Sequence, residues 1–153
     1  DHLARETDLG RKVKDIMSRG ELVPDEITDA MVRERLQRDD AVGGVLLDGY
    51  PRNVDQARVL LDMLAEWDRP LDGVVVIEVP DEELRDRLRL RAEQQGRADD
   101  ADPAVIDNRI QTYKDQSEPC IAFFAEHGVT VHTIDGVGDI DEITGRIMSA
   151  VRA

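Results

Sequence analysis

The run Val74-Val75-Val76-Ile77 constrains this chain more than any other stretch. Four consecutive β-branched residues leave no polar face, which suits a parallel strand covered on both sides better than one with a wet face. Parallel strands need crossover connections of about a dozen residues or more, usually helical. The chain provides them. Ala57, Leu60, Leu61 and Leu64 fall at i, i+3, i+4 and i+7, predicting a helix over residues 54–67. A charged helix is expected from Pro80-Asp81 to Arg91, another of mixed polarity over 103–126 with a bend near Pro119, and a last one carrying Ile140, Ile143, Ile147 and Val151 on one stripe. Two more strand-like runs, Val45-Leu46-Leu47 and Val129 to Ile134, complete a βαβ alternation. The fold class is therefore α/β, a single domain with a mostly parallel sheet sandwiched by helices, although three strands are few for such a sheet.

The beginning of the chain is helical in pattern as well. Leu9, Val13, Ile16 and Met17 define one apolar face over residues 3–19, and Gly20 is a natural C-terminal stop. Glu21-Leu22-Val23-Pro24 reads as an extended connector, with Asp25 expected to cap a helix reaching about Arg38. Residues 92–102 read as a polar loop. The chain opens on Asp1 with its helical pattern already under way, so a longer parent protein is expected.

Composition narrows the function classes. With 34 acidic against 20 basic residues and a net charge of -14, the surface repels polyanions, and broad nucleic-acid binding is not expected. A phosphorylated small molecule remains compatible, because a local group of arginines can recognise it. The single cysteine, Cys120, has no disulfide partner and no zinc-ligand spacing surrounds it, so a reducing, cytoplasmic setting is expected. No apolar run approaches the ~20 residues of a membrane span.

Chemistry concentrates at Asp48-Gly49-Tyr50-Pro51-Arg52. An acid at the carboxyl end of a buried strand is where open α/β sheets place ligand chemistry, and Asp48 there could hold magnesium through water or simply cap the turn. Arg52 could grip a phosphate with its rigid fork. Gln56, one turn further on, offers an amide donor and acceptor to a base edge. Arg87 and Arg91 are four apart on one helix face, able to converge on a polyanion or to form a surface ion-pair ladder with Glu82, Glu83 and Asp86. Arg97 and Arg109 are open to the same two readings.

Taken together, Thr7-Asp8-Leu9-Gly10, the segment from Gly20 to Glu26, Leu46-Leu47-Asp48-Gly49-Tyr50-Pro51-Arg52, Gln56-Ala57, Gly96-Arg97-Ala98-Asp99-Asp100, Arg109, Tyr113, Pro119 and Asp135-Gly136-Val137-Gly138 resemble the adenylate kinases of the bacterial short-lid type. The Asp-Gly-aromatic-Pro-Arg signature is specific for nucleoside monophosphate kinases. Gln56 stands where UMP/CMP kinases carry Asn, which favours AMP as acceptor. The resemblance implies phosphoryl transfer from ATP to AMP giving two ADP. Glu21, Leu22 and Val23 would line the adenine of AMP, and Gly49, Arg52 and Gln56 would hold its phosphate and base. Arg97 and Arg109 would close from the lid over AMP and the transferring phosphates, Arg87, Arg91 and Gly138 would contact ATP, and Asp48 would organise a Mg2+ ion. Within one partial domain, residues 1–24 would belong to an AMP-binding subdomain, 92–102 to a short lid, and 45–91 and 103–153 to the core of a monomer. The lid segment Ala92-Glu93-Gln94-Gln95-Gly96 is longer than the family's compact version.

No Gly-x-x-x-x-Gly-Lys-Ser/Thr pattern, the loop that cradles ATP phosphates, occurs anywhere in the chain. By the resemblance that loop belongs ahead of the segment matching Asp1, with the first and second strands. The expected fold is therefore an incomplete P-loop NTPase-like sheet, poorly folded or rearranged because two strands would lose their neighbour. Three readings follow: a partial adenylate kinase inactive alone, a non-catalytic AMP-binding module, and an interaction or assembly fragment.

Overall fold

The computed structural model describes residues 24–95 and 102–152, apart from the side chains of residues 92 and 95. The predicted helix over 3–19, the connector residues Glu21, Leu22 and Val23, and Arg97 lie outside the described residues. The elements are α1 (Asp25–Leu36), a 3-10 turn (Asp39–Ala41), α2 (Val54–Glu66), β1 (Val74–Glu78), α3 (Asp81–Gln95), α4 (Pro103–Thr112), a π turn (Tyr113–Ser117), α5 (Pro119–Glu126), β2 (Val131–Asp135) and α6 (Ile140–Ala150).

Helix α2 forms where its periodicity predicts. Asn53 is its N-cap, with extended backbone and a side chain that accepts a hydrogen bond from the Gln56 N–H at 2.8 Å. Ala57, Leu60, Met63 and Leu64 are buried on its inner face. Ala57, Leu60 and Leu64 join Leu36 from α1 and Cys120, Phe123 and Phe124 from α5 in one cluster, against which Val74 and Val131 also pack. At the far end of α2 the Arg69 guanidinium donates to the carbonyls of Leu36 and Ala41, satisfying an acceptor at the end of α1 and joining the Gly44 N–H on the one in the 3-10 turn.

Strands β1 and β2 pair in parallel, Val74 beside Val131 through to Glu78 beside Asp135. Gly136 lets the ends of the two strands close together: its N–H donates to the Glu78 carbonyl at 2.8 Å, and a Cβ there would lie 2.5 Å from Ile77 Cγ2. Helix α6 packs along β2 and starts with a reciprocal capping box between Asp139 and Glu142.

Several expectations need correction. Residues 45–47 form no strand; Leu46 is 92% exposed, and only Leu47 reaches the core. A strand requires a neighbour for its N–H and C=O groups, and among the described residues the sheet has two strands, paired with each other. For the same reason β1 is not covered on both faces: Val76 is buried while Ile77 is 47% exposed. Asp25 is not the cap of α1. Pro24 occupies that position, and the Asp25 carboxylate turns instead toward α2. Helix α3 runs to Gln95, so residues 92–95 extend the helix and do not open the loop. The irregularity expected near Pro119 is a π turn closed by Glu118 N–H on the Tyr113 carbonyl at 2.9 Å, after which Pro119 sits harmlessly in the first turn of α5. The stripe on α6 is only partly covered, with Ile140 82% exposed.

The cluster centred on α2 makes a direct prediction. Leu60→Ala should destabilise the fold by about 2–5 kcal/mol in urea unfolding followed by circular dichroism, and Leu46→Ser by no more than about 0.5 kcal/mol.

Candidate functional site

The corner between residues 48 and 56 is built at the N-terminus of α2. Gly49 has φ +76°, a left-handed conformation that glycine adopts without a Cβ penalty, and the peptide between Tyr50 and Pro51 is cis. The Arg52 Nε donates to the Gly49 carbonyl at 2.8 Å, folding the side chain back across the turn. A Cβ on Gly49 would lie 3.3 Å from an Arg52 terminal nitrogen, so the glycine also makes room for the guanidinium. Among the described residues neither Arg52 terminal nitrogen meets an acceptor, and the residue is exposed. Ser117, in the π turn, donates its hydroxyl to the Arg52 carbonyl at 2.8 Å and ties the corner to the α4–α5 segment.

Gln56 lies behind this arginine and is 5% exposed. Its Oε1 accepts from the Arg52 backbone N–H at 2.8 Å, and its Nε2 donates to Asp25 Oδ1 at 2.7 Å. Asn53 donates its own amide to Asp25 Oδ2 at 2.8 Å. Tyr50 donates its hydroxyl to Asp29 Oδ1 at 2.7 Å, so two residues of α1, Asp25 and Asp29, fasten it to the corner. Burial, then this hydrogen bond and the negative charges of Asp29 and Asp25, hold the Tyr50 phenol protonated well above the usual tyrosine range. Burial also pushes the Asp29 carboxyl up, with Asp25 and Glu26 adding to the rise and the Tyr50 hydroxyl opposing it.

Gly49, Arg52 and Gln56 are thus brought together as expected from the sequence. Asp48 is adjacent, exposed, and makes no hydrogen bond or ion pair among the described residues; it ends a coil and not the buried strand expected. Arg87 and Gly138 meet in a second place, a cleft of about 830 Å³ also lined by Glu83, Ile140 and Ile143. There Arg87 pairs with Glu83 and donates to the Gly136 carbonyl at 2.8 Å. Arg146 donates to the carbonyls of Asp135, at 2.8 Å, and Val137, at 2.6 Å, holding the loop that carries Gly138. Gly138 has φ +129°, and a Cβ there would collide with the Glu142 carboxylate of the capping box. The ladder reading also has substance on α3, where Arg89 pairs with Asp86 at 3.3 Å. Arg91 follows Arg87 by one turn of α3, and Arg109 lies in the last turn of α4, both partly buried. Arg85 of α3 meets Asp107 of α4 at 2.7 Å, and Lys114 meets Asp81 at 2.6 Å, a hydrogen bond that holds the Asp81 carboxyl below the usual carboxylate range.

Asp25, Asp29, Asn53 and Ser117 were missed as parts of the corner. Asn53 carried a readable signal, a side-chain acceptor immediately before an apolar-periodic segment. The others act across 21 to 65 residues of chain and leave no local mark.

Helices around a parallel strand pair place the molecule among the α/β proteins, and its corner offers, at a helix N-terminus, a guanidinium whose terminal nitrogens meet no acceptor among the described residues. The model of the adenylate kinase family matches residues 1–129. An adenylate kinase of Stenotrophomonas maltophilia is 44% identical over 151 residues, covering 99% of this chain and 80% of the relative. That of Thermobifida fusca is 46% identical, covering 96% and 77%, and that of Micrococcus luteus is 46% identical, covering 95% and 70%. This chain belongs to the adenylate kinase family, whose members are nucleotide-binding phosphotransferases.

The Tyr50–Asp29 contact has a pH signature. A phenol whose ionisation is raised in the folded state stabilises fully below the unfolded value of ~10, and that contribution is lost as pH rises past it. Urea unfolding at pH 8 and 10.5 should show a loss of stability between the two that is smaller in Tyr50→Phe than in the wild type.

Proposed function

We propose that this chain carries the acceptor side of phosphoryl transfer from ATP to AMP, a reaction that gives two ADP. The observation that carries the reading is Arg52: its Nε is fixed on the Gly49 carbonyl while its two terminal nitrogens remain available, a fork suited to bidentate phosphate binding. Gln56 beside it supplies the base contact, and Glu21, Leu22 and Val23 line the adenine. Arg97 and Arg109 close over AMP and the transferring phosphates, and Arg87, Arg91 and Gly138 serve ATP. The shared cleft of Arg87 and Gly138 supports the last assignment for those two residues. Such a division suits phosphoryl transfer, which is catalysed mainly by positioning and by neutralising charge on phosphate oxygens. The reaction asks no general base of these residues, and arginines arriving from a closing lid would exclude water.

The residues fit magnesium. Among the described residues no group of three or more His, Cys, Asp or Glu side chains could hold a metal, so a dedicated cage is not what they build. Mg2+ is usually held by one or two carboxylates with retained waters and substrate phosphates, a role the exposed Asp48 can take. The ion would supply charge neutralisation at the phosphate oxygens.

A second reading of the chain taken alone, AMP binding without turnover, is favoured by the assembly of Gly49, Arg52 and Gln56 at one corner. A cytoplasmic, monomeric enzyme is part of the same proposal; among the described residues no helix is long and apolar enough to cross a membrane.

Calorimetric titration with AMP and a coupled assay for ADP test both parts. The chain should bind AMP, and Arg52→Ala should weaken binding by about tenfold or more, the worth of a lost charge-assisted bond. Steady ADP formation by the purified chain from ATP and AMP would remove the second reading, and unchanged AMP affinity in Arg52→Ala would remove the first.

A further inference from the structure

We propose that Asp25 is a specificity-determining positioning residue: its carboxylate fixes which way round the Gln56 amide sits, and thereby sets the site for an amino-bearing base edge over an oxo-bearing one. The inference rests on the reading of Gln56 as the base contact.

An amide can rotate by half a turn and exchange its oxygen and nitrogen, which reverses what it offers a ligand. In Gln56 both ends are held. The Asp25 carboxylate, an acceptor only, takes the Nε2 proton at 2.7 Å, and the Arg52 backbone N–H, a donor only, points at Oε1 at 2.8 Å. A reversed amide would set oxygen against carboxylate and NH2 against N–H, losing both bonds. At 5% exposure little water is at hand to replace them.

Asp25 is braced in its turn. Its second oxygen accepts from Asn53 Nδ2 at 2.8 Å, and Asn53 Oδ1 accepts from the Gln56 N–H at 2.8 Å. The carboxylate sits in the first turn of α1, and among the described residues its hydrogen bonds go to the corner.

After these bonds the amide retains one N–H and one oxygen lone pair. Adenine presents a matching acceptor and donor, a ring nitrogen beside an amino group. Hypoxanthine presents a carbonyl beside a ring N–H and would need the reversed amide. Asp25 therefore acts on base choice through Gln56.

The test compares binding of AMP and inosine monophosphate by calorimetry to the full chain, to Asp25→Asn, and to Glu26→Gln as a control for lost charge on the same helix. An asparagine at position 25 can accept from one orientation of Gln56 or donate to the other, so the AMP preference should fall by about tenfold, the value of a discriminating amide pair. The preference should stand in Glu26→Gln. An undiminished preference in Asp25→Asn overturns the role of Asp25. Thermal melting verifies that the variants fold, and NMR on the Gln56 Nε2 protons gives a second readout. Those protons should be protected from exchange in the wild type and lose protection in Asp25→Asn. If the wild type binds neither nucleotide, the acceptor-site reading fails and the base preference with it. The NMR signals then judge the hold itself: equal protection in wild type and variant, or none in either, overturns it.

Discussion

The structure depends on burial of one face of α2 between α1 and α5. Ala57, Leu60 and Leu64 meet Leu36, Cys120, Phe123 and Phe124 there, and dense packing of this kind leaves little freedom in the helix axis. Because that axis is set, so is its N-terminus, and with it the position of Asn53, Gln56 and the preceding turn. The apolar face is thus the foundation of the polar corner. Polar contacts then finish the placement: Asp25 and Asp29 reach from α1, and Ser117 reaches from the π turn.

The corner shows how a strongly acidic chain can remain suited to phosphate. Some of the surface charge is paired locally within α3 and between α3 and α4 or the π turn, where individual exposed pairs add little stability. Arg87 is engaged by Glu83 and by a backbone carbonyl, so a ligand in that cleft would have to compete with both. Arg52 is held differently. A single neutral carbonyl orients it and leaves its terminal nitrogens available, which separates an arginine ready for an anion from one already neutralised.

The strand expected at residues 45–47 and the cap expected at Asp25 failed for one reason. Each was read from what the segment itself prefers, whereas a strand needs a partner and an acidic side chain goes to whichever donor is nearest in space. With β1 paired only to β2 among the described residues, Leu46 has no ladder to join. With two side-chain amides presented by α2, Asp25 serves them in place of its own helix.

The sequence by itself determined the α/β alternation, the inner face of α2, the strands around Val76 and Ile134, and the corner motif that names the family. All of these rest on local periodicity or on residues contiguous in the chain. Only the tertiary structure decided that Asp25 holds the Gln56 amide, that Tyr50 is locked to Asp29, and that Arg87 and Gly138 share a cleft. Those contacts join residues 21 to 51 positions apart, and their energies depend on burial and on donor geometry that no stretch of sequence contains.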